Sequence, residues 1–126
     1  MRSYLDIPYV ENATAEQMMD MFLPEGNEFD TMIWFHGGGL EYGSYKTSRK
    51  LLESYAANNV GLVSAGYRKY PHARFPDFLE DAAEAVAFAI RRLRELGVKG
   101  RIFIQGESAG AYITMMLCMD HRYLTV

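Results

Sequence analysis

The stretch Arg101-Ile-Phe-Ile-Gln-Gly-Glu-Ser-Ala-Gly110 carries the most information about the fold of this chain. Its first five residues form an apolar run typical of a strand, and a helix-like stretch, Ala109 to Asp120, follows. Between them lies the pattern Gly-x-Ser-x-Gly, which is typical of a nucleophile elbow. In an elbow the serine sits on a tight turn, and Gly106 and Gly110 leave room for that turn because they lack a Cβ. Ser108 is therefore the predicted nucleophile.

A second motif, His36-Gly-Gly-Gly39, follows the short apolar run Thr31-Met-Ile-Trp-Phe35. A run of this kind is typical of a strand that is covered on both faces. Parallel sheets bind ligands at the carboxyl ends of their strands, so we expect these glycines and Ser108 at one edge. Attack by a serine on a carbonyl produces an oxyanion that needs hydrogen-bond donors. The backbone N–H groups of the glycines and of Ala109 are the candidate donors.

The rest of the chain predicts two leading strands followed by alternating helices and strands. We expect strands at residues 3–10, 17–23, 31–35, 60–65 and 101–105, and helices at about 47–57, 77–96 and 109–120. Asp77 and Glu80 predict a capping box at the start of the long helix, and Gly97 suits its end. This order predicts an α/β fold, a three-layer α/β/α sandwich with a mostly parallel sheet. All 126 residues fit one domain.

The composition bounds the classes of partner. A net charge of -3 and a pI near 5.6 give no reason to expect nucleic acid or an anionic membrane as a partner. No stretch of about 18 apolar residues is present to span a bilayer, and the N-terminal residues do not resemble a signal peptide. The single cysteine, Cys118, excludes an internal disulfide and is predicted to lie in the core. We therefore expect a cytoplasmic protein.

The general base is harder to assign than the nucleophile. A base must approach the serine hydroxyl to about 3 Å. His36 is expected to brace the glycine loop and His72 to lie in a surface loop. His121 follows the last helix, about 16 Å from Ser108 at 1.5 Å per residue, so no histidine is predicted as the base. Candidates for the rim of a pocket are Glu41, Tyr42, Tyr45, Tyr67 and Tyr70.

The motifs, in this order and at these spacings, resemble the α/β-hydrolase fold, and within it the esterase and lipase group related to hormone-sensitive lipase. His36-Gly-Gly-Gly39 is similar to the oxyanion motif of that group, and Gly106-Glu-Ser-Ala-Gly110 is similar to its elbow. Tyr67-Arg68, followed by Phe75-Pro76 and Leu79-Glu-Asp81, is similar to the link from the fourth strand into the next helix.

The resemblance implies Ser108 as the nucleophile and the amides of Gly38, Gly39 and Ala109 as the oxyanion hole. Residues implied to support the loop and the elbow are His36, Gly37, Gly106 and Gly110. A small ester is the implied substrate, and neither a metal nor a cofactor is implied. The triad acid and histidine of the group follow its seventh and eighth strands. Residues 1–126 are therefore expected to be a single partial domain, about strands one to five, in the order 1-2-4-3-5.

That strand order has a consequence for assembly. The strand at 101–105 would lie at an open edge, and an apolar edge strand is a template for pairing with another strand. We expect the chain alone to be marginally stable and to form homo-oligomers through this edge.

Three functions stay open. The first is a serine carboxylic-ester hydrolase that acts on short acyl esters through an acyl-enzyme on Ser108. The second is an acyl-sugar deacetylase or an amide-cleaving serine hydrolase on the same fold. The third is a non-catalytic module that binds a ligand or partner, since no base or acid is evident. A P-loop or dinucleotide site is excluded because the glycines lack the required spacing.

Overall fold

Among the residues that the structure describes, a five-stranded sheet and three helices form the fold. The computed structural model describes residues 1–40, 43–46, 49–120 and 123, with the backbone alone for residues 49–52. Glu41, Tyr42 and His121 lie outside the described residues. In chain order the elements are β1 (Arg2–Pro8), β2 (Met18–Leu23), β3 (Asp30–Phe35), α1 (Arg49–Ala57), β4 (Val60–Ala65), α2 (Asp77–Glu95), β5 (Ile102–Gly106) and α3 (Ala109–Met119).

The sheet has the strand order β1-β2-β4-β3-β5, which confirms the predicted order. β1 pairs with β2, and β2 with β4, in antiparallel fashion. β3 pairs in parallel with β4 on one side and with β5 on the other. The half of the sheet that carries both glycine motifs is therefore parallel, and β5 lies at its edge.

The helices cover both faces of the sheet. α1 packs on one face, where Phe22, Ala56 and Leu62 form a small apolar cluster. α2 and α3 pack on the other face, in the main core that contains Val63 and Leu79. Neighbouring strand residues such as Leu62 and Val63 point to opposite faces, so the two clusters lie on opposite sides of the sheet. The predicted three-layer α/β/α class is confirmed.

Both ends of α2 can be compared with the sequence prediction. Gly97 has a φ of 78° and directly follows the C-cap residue Leu96, as expected. The predicted capping box is wrong, because Pro76 precedes the first turn and no side chain caps it. Asp77 is already helical, and its carboxylate accepts a hydrogen bond from the Arg74 N–H at 3.2 Å. The Asp77 N–H also donates to the Arg74 carbonyl and closes the turn before the helix. The Asp77 side chain therefore binds this turn and does not cap the helix.

α3 is exposed along much of its length. Its buried residues are Gly110, Ile113 and Leu117. Cys118 is exposed, so its predicted place in the core is wrong. One residue further along a helix is a rotation of about 100°, which turns Cys118 away from the sheet that Leu117 faces. Among the described helices, none is both long and apolar enough to cross a membrane.

A buried carboxylate joins three separate parts of the chain. Asp81 lies on the inner face of α2 and is only 3% exposed. It accepts two hydrogen bonds from the Arg68 guanidinium, at 2.8 and 2.9 Å, and one from the Arg68 N–H at 2.9 Å. Gln17, just before β2, donates a fourth bond at 3.0 Å. These bonds hold the loop after β4 against α2, and that loop contains Tyr67.

Replacement of Asp81 by Ala should destabilise the chain by about 2 to 4 kcal/mol, because removal of one partner leaves the Arg68 charge and the Gln17 amide unpaired. Urea unfolding followed by circular dichroism measures the loss. Glu80→Ala, one residue earlier and exposed, is the matched control and should change the unfolding free energy by less than about 0.5 kcal/mol. Equal losses of unfolding free energy in the two variants would contradict a structural role for the hydrogen bonds that Asp81 accepts.

Candidate active site

Three parallel strands end at the same level of the sheet. The register places Phe35 at the end of β3 beside Ala65 at the end of β4 and Gly106 at the end of β5. The segments that follow these strands therefore leave the sheet side by side. They contain the glycine motif, Tyr67 and Ser108, so the structure brings together the two motifs that the sequence singled out.

The elbow is possible only because two of its residues lack side chains. A Cβ on Gly106 would overlap the carbonyl group of Gly110, and a Cβ on Gly110 would overlap the Phe35 oxygen. Ser108, between them, has φ 55° and ψ -113°, a conformation that is uncommon for residues other than glycine. The turn is closed by the Gly110 N–H, which donates to the Glu107 oxygen at 2.9 Å. Ser108 is exposed at the start of α3.

The glycine loop lies directly against this elbow. A Cβ on Gly37 would lie 3.3 Å from the Ser108 Cβ and 2.8 Å from the Glu107 oxygen. Gly38 and Gly39 have φ values of 122° and 64°, which glycine adopts without strain. Within the described part of the chain, the N–H groups of Gly38, Gly39 and Ala109 donate to no other residue. These N–H groups remain the candidate oxyanion donors, and the loop that carries two of them touches the elbow at Gly37.

His36 is held beneath the loop. Its Nδ1–H donates to the Gly37 oxygen at 2.7 Å, and its ring stacks on that of Tyr67 with a centroid distance of 4.4 Å. Burial lowers the pKa of His36 below its usual value, so the ring is neutral at pH 7. Among the described residues its Nε2 has no hydrogen-bond partner. This geometry braces the loop and offers no hydrogen bond to Ser108.

No base for Ser108 is found in the described part of the chain. His72 is at the surface, with its side chain 74% exposed and its Nδ1 3.2 Å from Glu16. Neither a histidine nor a carboxylate among the described residues forms a hydrogen bond with Ser108. The same residues contain no group of three or more His, Cys, Asp or Glu side chains that could hold a metal ion.

Sequence reasoning missed two contacts beneath the loop. Tyr67, a candidate for the pocket rim, is instead fully buried, and its O–H donates to the His36 oxygen at 2.8 Å. Gly43 has a φ of 84° and packs against the Gly37 oxygen and the His36 ring. Tyr45, another rim candidate, is also buried and donates to Asp6 at 2.7 Å. Apart from the resemblance around Tyr67-Arg68, no local pattern in the sequence signals these contacts.

A family model described as the alpha/beta hydrolase fold matches residues 32–124. The chain belongs to this family. The match runs from within β3 through α3 and includes both glycine motifs, and the resemblance found in the sequence is thus confirmed.

Relatives in the family are esterases and acetyl-hydrolases. The chain is 31% identical over 101 residues to the esterase LipI of Mycobacterium tuberculosis, which covers 79% of this chain and 32% of that protein. It is 32% identical over 108 residues to an acetyl-hydrolase of Streptomyces hygroscopicus, with coverages of 84% and 33%. A hyperthermophilic esterase from Pyrobaculum calidifontis superposes with a TM-score of 0.73 at 27% identity, with coverages of 82% and 34%. The chain spans about a third of the length of these relatives.

Replacement of Gly110 by Ala tests the close approach of β3 and the elbow. Helix propensity alone would favour Ala by about 1 kcal/mol, whereas the overlap with the Phe35 oxygen should reverse the sign and destabilise the chain by about 2 kcal/mol or more. Gly39→Ala is the control, because the new Cβ would meet nothing within 4 Å. This change should lower the unfolding free energy only by the cost of a positive φ in alanine, about 1 kcal/mol. Urea unfolding measures both, and a Gly110→Ala chain more stable than wild type would contradict the contact.

Proposed function

We propose that this chain forms the nucleophile and the oxyanion hole of a serine carboxylic-ester hydrolase. The observation that carries the proposal is the contact between the Ser108 elbow and the glycine loop. This contact supports a site in which the exposed Ser108 hydroxyl approaches the N–H groups of Gly38, Gly39 and Ala109, which donate to no acceptor among the described residues. Membership of the family and the similarity to esterases support the same chemistry.

In this reaction the Ser108 Oγ attacks the ester carbonyl carbon while a base takes the hydroxyl proton. The N–H groups of Gly38, Gly39 and Ala109 stabilise the charge that develops on the carbonyl oxygen. Collapse of the intermediate breaks the bond to the alcohol, which leaves with the proton, and an acyl-enzyme stays on Ser108. Water then attacks the acyl carbon and releases the acid. We propose that the base is a histidine supplied from outside these 126 residues.

Short acyl esters are the proposed substrates. The similarity to the acetyl-hydrolase of Streptomyces hygroscopicus supports a small acyl group. We further propose that residues 1–126 form a single partial domain. A reducing compartment such as the cytoplasm suits a chain whose only cysteine is exposed.

Chemical rescue tests the proposal. Because Ser108 is exposed, imidazole from solution can reach it and act as the base. The folded chain is incubated with a fluorophosphonate over a series of imidazole concentrations, above the pKa of imidazole, and adducts are measured by intact mass. In the labelling step a bond forms between the Ser108 oxygen and phosphorus, fluoride leaves, and imidazole takes the proton. We expect negligible labelling without imidazole and a single adduct whose rate rises by about tenfold or more with it.

Two controls make the result specific to the site. The Ser108→Ala chain should show no imidazole-dependent adduct, and peptide mapping should place the wild-type adduct on Ser108. The wild-type chain unfolded in urea should lose the imidazole-dependent reaction, because the oxyanion donors are then dispersed. Labelling spread over several nucleophiles, or equal in the folded and unfolded chains, would refute an activated Ser108.

We also propose that the exposed side of β5 binds a second copy of the chain. Phe103 is 44% exposed on this edge strand. On the opposite face of the sheet from Phe103, β5 and α2 border a groove, and its non-charged lining is formed by Ala83, Val86, Ala87, Ile90, Ile102, Ile104 and Tyr123. Glu84 and Arg91 also line the groove. They are seven residues apart, two helical turns, and therefore on one side of α2.

This arrangement of charge is complementary to itself. A two-fold axis near Ala87 would place α2 antiparallel to its copy and bring Glu84 opposite Arg91 of the second copy, twice in the dimer. The same axis allows the β5 edges to pair as antiparallel strands. An isologous interface of this kind suits a groove that is apolar at its centre and charged at its ends.

Charge exchange at the two positions tests the dimer. The wild-type chain should form dimers in analytical ultracentrifugation, whereas Glu84→Arg and Arg91→Glu should each weaken dimerisation by about tenfold or more through like-charge contacts. The double variant restores both opposite-charge pairs and should dimerise like wild type. A monomeric wild type, or single variants that dimerise normally, would refute the proposed dimer.

A further inference from the structure

Tyr67 acts on the glycine loop from below, without reaching the serine itself. It is fully buried, at 0% exposure, two residues after the end of β4. Its ring lies parallel to that of His36, with an interplanar angle of 9°, and its O–H donates to the His36 oxygen at 2.8 Å. Burial raises the pKa of Tyr67, so the phenol keeps its proton and its role as a donor at physiological pH.

Two successive peptide groups of the loop are fixed by this pair of rings. The oxygen of His36 is held by the Tyr67 O–H, and the oxygen of Gly37 is held by the His36 Nδ1–H at 2.7 Å. In a trans peptide the C=O and the N–H point in opposite directions. Because the Gly37 oxygen is bonded to the His36 ring, the N–H of Gly38 points away from that ring.

The glycine loop needs such a restraint because glycine populates positive and negative φ about equally. Rotation of the Gly37–Gly38 peptide would exchange its N–H for its C=O at the candidate oxyanion hole and would repel the anion. The space next to Gly37 is already taken, because a Cβ there would meet the Ser108 Cβ and the Glu107 oxygen. The orientation of the next peptide therefore decides whether a donor or an acceptor lies beside Ser108.

We propose that Tyr67 is a positioning residue that sets the direction of the Gly38 N–H through His36. The proposal rests on the proposed function, since the N–H is useful only if an oxyanion forms at Ser108. Tyr67 holds the His36 main chain by its hydrogen bond and the His36 ring by stacking. His36 in turn holds the Gly37 oxygen.

The chain offers a matched control for the test. Tyr9 is also a buried tyrosine, 4% exposed, and its O–H donates to the Gly66 oxygen at the same distance of 2.8 Å. Tyr9→Phe and Tyr67→Phe each remove one hydroxyl and one buried hydrogen bond to the main chain. Only Tyr67→Phe removes a bond to the glycine motif. If the two variants have comparable urea midpoints, a difference in Ser108 labelling between them comes from the glycine loop and not from overall stability.

The experiment compares wild type, Tyr67→Phe and Tyr9→Phe by two readouts. The first is the rate of imidazole-dependent fluorophosphonate labelling of Ser108, resolved into the maximal rate and the reagent concentration for half that rate. The second is the ¹⁵N NMR spectrum of the His36 ring, which reports whether Nδ1 or Nε2 carries the proton. Loss of a whole oxyanion donor lowers the rate of such a reaction by about 10² to 10³. Because Tyr67→Phe misorients the Gly38 N–H without removing it, we expect a smaller effect, a maximal labelling rate about tenfold lower. Tyr67→Phe should also give a mixture of His36 tautomers, whereas Tyr9→Phe keeps the Nδ1–H tautomer and a rate within about twofold of wild type.

Equal labelling rates and equal His36 spectra in all three chains would overturn the proposal, as would equal losses in both variants. Absence of a Ser108 adduct in every chain would instead reject the proposed function. In that case the His36 spectrum still decides whether Tyr67 orients the loop, because it does not depend on labelling.

Discussion

The close approach of main chain to main chain at the ends of β3 and β5 is the constraint on which the site depends. Gly110 lies against the Phe35 oxygen, and Gly37 lies against the Glu107 oxygen and the Ser108 Cβ. A side chain at either glycine would push the elbow away from the loop. Parallel pairing of β3 and β5 brings the two segments to one level of the sheet. The absence of a Cβ then lets the glycine loop and the Ser108 elbow touch.

The side chains of His36 and Tyr67, beneath the glycine loop, orient its peptide groups. His36 and Tyr67 are stacked, and both hold main-chain oxygens of the glycine motif. Tyr67 is in turn followed by Arg68, whose guanidinium and N–H are bonded to the buried Asp81 of α2. A chain of contacts thus runs from the long helix through the loop after β4 to the candidate oxyanion hole. Such a preorganised arrangement of donors is what electrostatic stabilisation of an oxyanion requires.

The edge of the sheet at β5 is apolar, unlike the hydrogen-bonded layer beneath the glycine loop. β5 is the edge strand, and the groove beside it is lined by aliphatic side chains of α2 and β5. The chain spans about a third of the length of its relatives, and no base for the candidate nucleophile Ser108 is found among the described residues.

The sequence by itself determined the order of elements, the strand-to-helix elbow around Ser108 and the end of α2 at Gly97. These features follow from short-range patterns: apolar runs, helical periodicity and glycines at positions that exclude a Cβ. Tertiary structure alone decided the burial of Asp81, the stacking of Tyr67 on His36 and the exposure of Cys118. The bond from Gln17 to Asp81 joins residues 64 apart, and that from Tyr67 to His36 joins residues 31 apart. Such contacts depend on which faces of distant elements meet, and no local pattern of residues encodes that meeting.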